Sequence, residues 1–199
     1  KTVEWFETNL PEKSKDWLDG NRPISPGYHM QFSEALANFG LYCTRRLVER
    51  HGGQLIYSGG DDVLALLPAD NAISCAHALR KAFRGDPGLA QQFPYDFQSA
   101  LEGFVRLNNP KPSEPSWTLL VPGPKATVSV GIAIGHCKEP LQDMIQEAQK
   151  AEKHAKSALD RDALSVRLFK RGGEQVHWGA KFDSPAFPLL EFFAKHYRP

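Results

Sequence analysis

Residues 54–68 read Gln-Leu-Ile-Tyr-Ser-Gly-Gly-Asp-Asp-Val-Leu-Ala-Leu-Leu-Pro. Two apolar runs, at residues 55–57 and 63–67, flank four residues that continue neither run. Gly59 and Gly60 tolerate positive φ, so the chain can reverse its direction there within a few residues. The stretch therefore predicts a β-hairpin whose tip carries Gly-Gly-Asp-Asp.

The two acids of this tip are neighbours in the sequence. Adjacent strand residues point to opposite faces, so we expect Asp61 and Asp62 to present carboxylates on both sides of one hairpin arm. Two such charges held about 5 Å apart repel by roughly 3 kcal/mol at an effective dielectric constant of ~20, and a bound divalent cation would reverse that repulsion. The pattern indicates either a cation site or ordinary hairpin chemistry, in which Gly-Asp pairs are common.

Composition and charge narrow the class of protein. A chain of 199 residues can bury a real core in one or at most two domains. The formal net charge of +1 provides no overall attraction for nucleic acid or membrane. No apolar run approaches the ~20 residues of a membrane span, and no signal-peptide pattern is present. The three cysteines, Cys43, Cys75 and Cys137, are scattered, which favours reduced thiols in a cytoplasmic protein.

The remaining sequence predicts a mixture of helices and strands. Apolar residues spaced three or four apart predict long helices at about residues 28–50, 70–83 and 141–159. Alternation of large and small residues predicts strands at 127–134 and 163–169. In the first of these strands, the small residues would leave a face that another group can approach closely.

Several separate motifs give this sequence a resemblance to one known family. Besides Gly-Gly-Asp-Asp they are Ser25-Pro26-Gly27-Tyr28-His29, Ser33-Glu34-Ala35-Leu36, Thr127-Val128-Ser129-Val130-Gly131-Ile132-Ala133-Ile134-Gly135-His136, Lys138-Glu139-Pro140-Leu141-Gln142 and Leu168-Phe169-Lys170-Arg171-Gly172-Gly173-Glu174. From about Leu18 to Gly179 the chain resembles the polymerase/cyclase-type palm of the large subunit of type III CRISPR effector complexes. The flanking motifs are similar to those of the III-B (Cmr) subgroup.

The resemblance and the order of elements imply an α+β fold. We expect a ferredoxin-like palm, a mostly antiparallel sheet with helices on one face. Its first strand, which bears another metal-binding aspartate in the family, is missing from the sequence pattern; Asp19 is the nearest candidate. We expect a loop-rich segment at 1–26, the palm at 27–175 with a loop-rich insertion at 85–125, and at 176–199 a linker and the start of a following domain. The chain is then a piece of a larger protein.

The family's activity gives the expected function. The resemblance implies synthesis of cyclic oligoadenylates from ATP, with Mg²⁺ or Mn²⁺, when the complex binds target RNA in antiviral defence. Asp61 and Asp62 would be the catalytic metal ligands, because Mg²⁺ takes hard oxygen ligands. Gly59 and Gly60 would let backbone N–H groups approach the phosphates. The partners would be other subunits of the effector complex, with guide RNA and target RNA contacted indirectly and no membrane.

Five further residues are candidates for nucleotide binding. Lys153 and Lys156 lie one turn apart on the helix from which related palms contact the triphosphate, and Lys156 is the favoured candidate. The alternative is that both are surface charges paired with Glu. Ser33 matches a serine that faces the adenine in relatives, or is a plain polar helix position. Ser129 is either a sugar contact or a close-packed small residue. Ser58, directly before the two glycines, completes the set.

Two other functions remain open at this point. The first is a non-catalytic palm that serves as a scaffold for the effector complex, in which the acids serve only hairpin geometry. The second is a guanine-nucleotide cyclase of the diguanylate type, although that family has Glu-Phe where this chain has Asp62-Val63. The family's HD nuclease needs a His-Asp doublet, and this sequence has none, so no nuclease activity is expected.

Overall fold

A computed structural model describes residues 25–109 and 116–197 of the chain. The chain divides into two compact units, Lys1–Ser33 and Glu34–Pro199. The loop-rich segment expected at 1–26, including Asp19, lies almost wholly outside the described residues.

The described residues form six α-helices, one π-helical segment and eight strands. The helices are α1 (Pro26–Asn38), α2 (Arg45–Arg50), α3 (Ala69–Arg84), α4 (Gly88–Gln92), α5 (Leu141–Ser157) and α6 (Ala186–His196), and the π-helical segment Phe39–Thr44 joins α1 to α2. The strands are β1 (Gln54–Gly59), β2 (Asp62–Leu66), β3 (Phe97–Gln98), β4 (Phe104–Leu107), β5 (Trp117–Leu120), β6 (Val130–Ile134), β7 (Ala163–Phe169) and β8 (Gln175–Lys181). The α+β class, the three long helices and the hairpin are thus confirmed.

The strands pair in three sheets within the described residues. β1 and β2 form an antiparallel hairpin, and β3, β4 and β5 form an antiparallel meander. In the third sheet β7 lies between β6, its parallel neighbour, and β8, its antiparallel neighbour. The predicted strand at 163–169 is confirmed, whereas the strand predicted at 127–134 begins only at Val130.

The described parts of the insertion expected to be loop-rich at 85–125, residues 85–109 and 116–125, instead contribute to the main core, the buried cluster around Leu47, Phe83 and Leu107. Phe97–Gln98 and Phe104–Leu107 of this segment form β3 and β4. Val105 and Leu107 alternate with exposed residues and pack with Phe97 and Val121 against Phe83 and other residues of α3 and the π-helical segment. Of the region's prolines, those in the described residues lie between these elements and interrupt none of them, so they do not prevent sheet formation.

Helices cover both faces of β6, where one helical face was expected. Val130, Ile132 and Ile134 pack with Ile73 and Ala76 of α3 into a second core. The buried residues of this second core are Ala76, Leu164, Val166, Ala180, Phe182 and Phe187. Gly131 points the opposite way, where an ideal Cβ would clash with backbone atoms of Ala148 and Glu152 in α5. The group that approaches the small-residue face most closely is therefore a helix of the chain itself.

The expected linker at 176–199 contains a strand and a helix. β8 pairs along its whole length with β7, from Ala163↔Lys181 to Phe169↔Gln175. Phe182, after β8, and Phe187, on α6, are both buried in the second core, where the ring of His77 contacts each edge-on. The Phe- and Pro-rich composition of this segment does not indicate that its backbone pairs with β7, so the sequence pattern does not predict β8.

A buried arginine connects α3 to the residues directly before β7 and after β8. Arg80 of α3 is 9% exposed and binds Asp162 through Nε and Nη2, at 2.9 and 2.6 Å. It also donates to Asp183 at 3.0 and 2.7 Å and lies over the ring of Phe182. These hydrogen bonds raise the pKa of Arg80 and keep it charged, since a buried guanidinium needs paired carboxylates.

Among the helices of residues 25–109 and 116–197, none has the length and apolar character needed to cross a membrane.

Candidate functional site

The tip of the β1–β2 hairpin is a two-residue turn. Gly59 pairs with Asp62, so Gly60 and Asp61 form the reversal itself. Gly60 has φ +60°, the left-handed conformation that glycine adopts at low cost. The sequence pattern thus correctly predicts the reversal and its glycine.

One face of the hairpin packs on the helices. Val63 packs against the main core, and its cross-strand partner Ser58 places its hydroxyl on the π-helical segment. Ser58 Oγ donates to the carbonyl oxygen of Gly40 at 3.2 Å. The hydroxyl of Ser58 is therefore directed to the helical side of the hairpin.

The opposite face carries the candidate metal ligand. Because side chains alternate along a strand, Asp62 and Tyr57 point away from the helical side, as their neighbours Val63 and Ser58 point toward it. Asp61, in the turn, and Asp62 are both exposed. The tip thus presents two solvated carboxylates beside an aromatic ring that is 56% exposed.

A β-bulge precedes this ring. The register of the hairpin shifts between Leu55 and Tyr57, which leaves Ile56 as the extra residue. Bulges of this kind redirect side chains and are common next to functional sites. Sequence reasoning missed Tyr57; its signal was an aromatic residue two positions before the glycines.

Lys156 of α5 lies within electrostatic reach of both acids. Its pKa is raised, mainly by a hydrogen bond to Glu152 and further by the charges of Asp62 and Asp61. Its Nζ lies 2.5 Å from Glu152 Oε1. The ion-pair partner of Lys156 is therefore Glu152, and the two acids of the tip act on the lysine through their charge.

The other predicted residues lie in three different places. Lys153 is exposed one turn before Lys156 on α5. Ser129 is half-buried just before β6 begins. Ser33 is exposed on α1, at the end of the first unit, and its placement against the hairpin stays a prediction.

The donor set at the tip fits part of a magnesium shell. Carboxylate oxygens are ligands that Mg²⁺ prefers, and Mg²⁺ usually keeps waters and phosphate oxygens in the rest of its octahedral shell. Within the described residues, no group of three or more His, Cys, Asp or Glu side chains is arranged to hold a metal ion. Asp61 and Asp62 could thus contribute two ligands, with the others coming from substrate and solvent.

A separate cavity of about 180 Å³ opens beside β7 and β8. Its lining residues, none of them from the hairpin, are His154, Ser165, Arg167, His177, Trp178 and Gly179. Arg167 is neutralised by Glu147, at 2.6 Å, and the pKa of Glu147 is lowered by its hydrogen bonds with Lys150 and Arg167. This cavity is therefore distinct from the predicted nucleotide site.

The chain is similar to a known protein family. The family described as Cas10/Cmr2, second palm domain, matches residues 12–95 and 89–165. The matched segments contain the hairpin, Lys153 and Lys156.

Two curated relatives are similar to the chain over most of its length. The CRISPR system Cmr subunit Cmr2 of Pyrococcus furiosus is 35% identical over 150 residues, which are 75% of this chain and 14% of that protein. The CRISPR system CMR subunit Cmr2 of Saccharolobus solfataricus is 30% identical over 160 residues, which are 79% of this chain and 13% of that protein. The chain thus spans about a seventh of the length of these relatives.

Proposed function

The chain belongs to the Cas10/Cmr2 family, through its second palm domain, and from this premise we propose that it synthesises cyclic oligoadenylates from ATP. The activity would belong to the large subunit of a cytoplasmic type III CRISPR effector complex and would start when target RNA binds. This is a nucleotidyltransferase reaction with Mg²⁺ or Mn²⁺ as cofactor.

One observation carries the proposal. The hairpin places two exposed, adjacent carboxylates at its tip, and their charges contribute to the raised pKa of Lys156 on α5. Carboxylates can bind a divalent cation, and a lysine can bind phosphate, so the two kinds of group offer the charges that a metal–triphosphate complex needs.

The reaction joins one nucleotide to the next. The 3′-oxygen of one ATP bonds to the α-phosphorus of another, pyrophosphate leaves, and the proton of the hydroxyl passes to solvent. Divalent ions held by Asp61 and Asp62 would activate the 3′-hydroxyl and offset charge on the phosphates. The protein's own part is to hold the reactants in line.

The remaining residues would orient the triphosphate. The backbone at Gly60, where nothing lies within 4 Å of an ideal Cβ, is open to close approach by phosphate oxygens, whereas Gly59 would become open only if the ring of Tyr57 moved away. Lys156 would leave Glu152 for a phosphate oxygen, and Lys153, one turn away, is a second candidate. Ser33 and Ser129 remain candidates for the adenine and the sugar.

The test uses the whole effector complex that contains the full-length subunit. With ATP, Mg²⁺ or Mn²⁺ and target RNA, the wild-type complex should produce oligoadenylates, separated by chromatography and identified by mass. Asp61→Ala/Asp62→Ala should lose the product. Asp70→Ala, an exposed acid on α3, is the matched control and should retain it. Unchanged product from the double variant would contradict the proposal.

A non-catalytic scaffold is the second candidate. It is favoured by the exposure of both acids and by the lack of a third clustered ligand in residues 25–109 and 116–197. Divalent metal binding separates the two functions. If Mn²⁺ does not broaden the resonances of Asp61 and Asp62 even with ATP present, the scaffold function is the correct one.

A guanine-nucleotide cyclase is tested in the same assay. ATP and GTP are offered to the complex in competition, and the base composition of the product is determined. A product that contains only adenylate supports the proposal, whereas cyclic diguanylate would replace it.

A further inference from the structure

Three polar groups connect the π-helical segment to the base of the hairpin tip. The carbonyl oxygen of Gly40 accepts hydrogen bonds from Thr44 Oγ1, at 2.6 Å, and from Ser58 Oγ, at 3.2 Å. The two hydroxyl oxygens lie 3.2 Å apart. Thr44 is fully buried, and Ser58 is half-buried. Residues 14 to 18 positions apart in the sequence are thus joined at a single carbonyl.

The helix is irregular at the point of this contact. Residues Phe39–Thr44 are π-helical, so backbone hydrogen bonds there run from i to i+5. Thr44, at i+4 from Gly40, reaches its carbonyl through the side chain. Such segments inside α-helices are often found at functional sites. This one directs a carbonyl toward the residue that precedes Gly-Gly-Asp-Asp.

The contact also depends on a missing side chain. An ideal Cβ on Gly40 would lie 3.1 Å from Ser58 Oγ, closer than most contacts of real Cβ atoms. The helix and β1 can therefore approach this closely because residue 40 is glycine.

The hydroxyl of Ser58 is occupied by this network. A serine hydroxyl has one proton to donate, and Ser58 gives it to Gly40. Its side chain also points to the face opposite Asp62, by the alternation of strand residues. Both facts argue against a direct contact between Ser58 and a nucleotide held at Asp62.

We propose that Ser58 is a positioning residue, whose bond to the Gly40 carbonyl fixes the base of the hairpin and thereby the direction of Asp61 and Asp62. Thr44 supports it through the second bond to the same carbonyl. The hydroxyl of Ser58 lies on the face of the hairpin opposite Asp62 and contacts neither metal nor nucleotide. The effect of Ser58 on catalysis rests on the proposed function, whereas its effect on the position of the hairpin tip does not.

The first test measures the order of the tip by hydrogen–deuterium exchange of residues 59–63 in the full subunit. Ser58→Ala should speed exchange there about fivefold to tenfold, the effect of losing one ordinary hydrogen bond. Thr44→Val keeps the shape of the side chain but removes its hydroxyl. Because residue 44 is buried and does not contact a nucleotide, this change should also speed exchange at the tip, but by less than Ser58→Ala. Ser74→Ala is the matched control, because Ser74 also binds a backbone carbonyl, at 3.0 Å, but on α3 away from the hairpin.

A double-mutant cycle tests the contact itself. Gly40→Ala places a methyl group against Ser58 Oγ and should speed tip exchange in the wild-type background. In the Ser58→Ala background that oxygen is absent, so Gly40→Ala should add little. Strictly additive effects would overturn the proposal, since residues in contact are expected to be non-additive.

The outcomes separate this inference from the proposed function. Faster tip exchange in Ser58→Ala and Thr44→Val supports the inference even if the wild-type complex makes no oligoadenylate. Unchanged exchange at residues 59–63 in both variants overturns it. A Ser58→Ala complex with unchanged tip exchange and a raised KM for ATP would also overturn it, because Ser58 would then be a nucleotide ligand.

Discussion

The phenolic oxygen of Tyr57 lies 2.5 Å from the position that a Cβ on Gly59 would occupy. The ring of Tyr57 therefore points toward the tip and lies along the backbone of Gly59, on the face of the hairpin that carries Asp62. Glycine at residue 59 gives space to an aromatic side chain, besides any role in phosphate approach.

Replacing Gly59 should displace this ring at low cost to stability. Gly59→Ala brings its methyl group against the far end of a flexible side chain, which can rotate away. We expect the free energy of unfolding to fall by about 1 kcal/mol at most, the lower end of the range for overpacking. The ring resonances of Tyr57 should shift in an NMR spectrum. In a Tyr57→Ala background the same change should cost nothing measurable, and an equal cost in both backgrounds would contradict the contact.

The contact between Gly131 and α5 should be far less tolerant. A methyl group on Gly131 would meet backbone atoms of Ala148 and Glu152, which cannot move without shifting the helix. We expect Gly131→Ala to lower the free energy of unfolding by about 3 kcal/mol, measured by urea denaturation. Gly172→Ala is the matched control, because nothing lies within 4 Å of its ideal Cβ, and it should stay within about 0.5 kcal/mol of wild type. Equal effects of the two variants would refute the close packing.

The ion pair between Arg80 and Asp183 should make stability depend on pH. The hydrogen bond from Arg80 lowers the pKa of Asp183 in the folded protein. Its contribution is therefore present above the pKa of the unfolded chain, near 4, and is lost as pH falls through the lower folded value. Asp183→Asn should cost less than about 1 kcal/mol at pH 7, since the carboxylate is largely exposed.

Urea denaturation at two pH values checks this sign. The difference between Asp183→Asn and wild type should vanish at a pH below the folded pKa of Asp183. A difference of the same size at both pH values would show that the carboxylate charge is not what stabilises the protein.

The three cysteines should differ sharply in reactivity. Burial raises the pKa of the Cys43 and Cys75 thiols to about 12, whereas Cys137 is exposed. At pH 8 only Cys137 should react quickly with a thiol reagent, because the thiolate is the reactive form and the other two are protonated and covered. Peptide mapping by mass spectrometry after a short reaction checks this. Equal labelling of all three in the folded protein would contradict the buried positions, and all three should label in 8 M urea, about the strongest urea in common use.

Local patterns predicted the elements that depend on local physics. The hairpin at residues 54–66 follows from two glycines between apolar runs, and the long helices follow from the spacing of their apolar residues. The family was also predicted correctly, because several motifs in one order are specific. The meander formed by β3, β4 and β5 was missed, since its strands are short and prolines separate β4 from β5.

The same division holds for the candidate site. The sequence by itself determined where the chain reverses and which acids lie at the tip, because turn formation depends on the conformations open to Gly59, Gly60 and their neighbours. Only the tertiary structure decided that the charges of Asp61 and Asp62 act on Lys156 and that Ser58 turns away from the tip, toward Gly40. Those relations join residues far apart in the chain, and they arise from the packing of helix against strand, which no local pattern encodes.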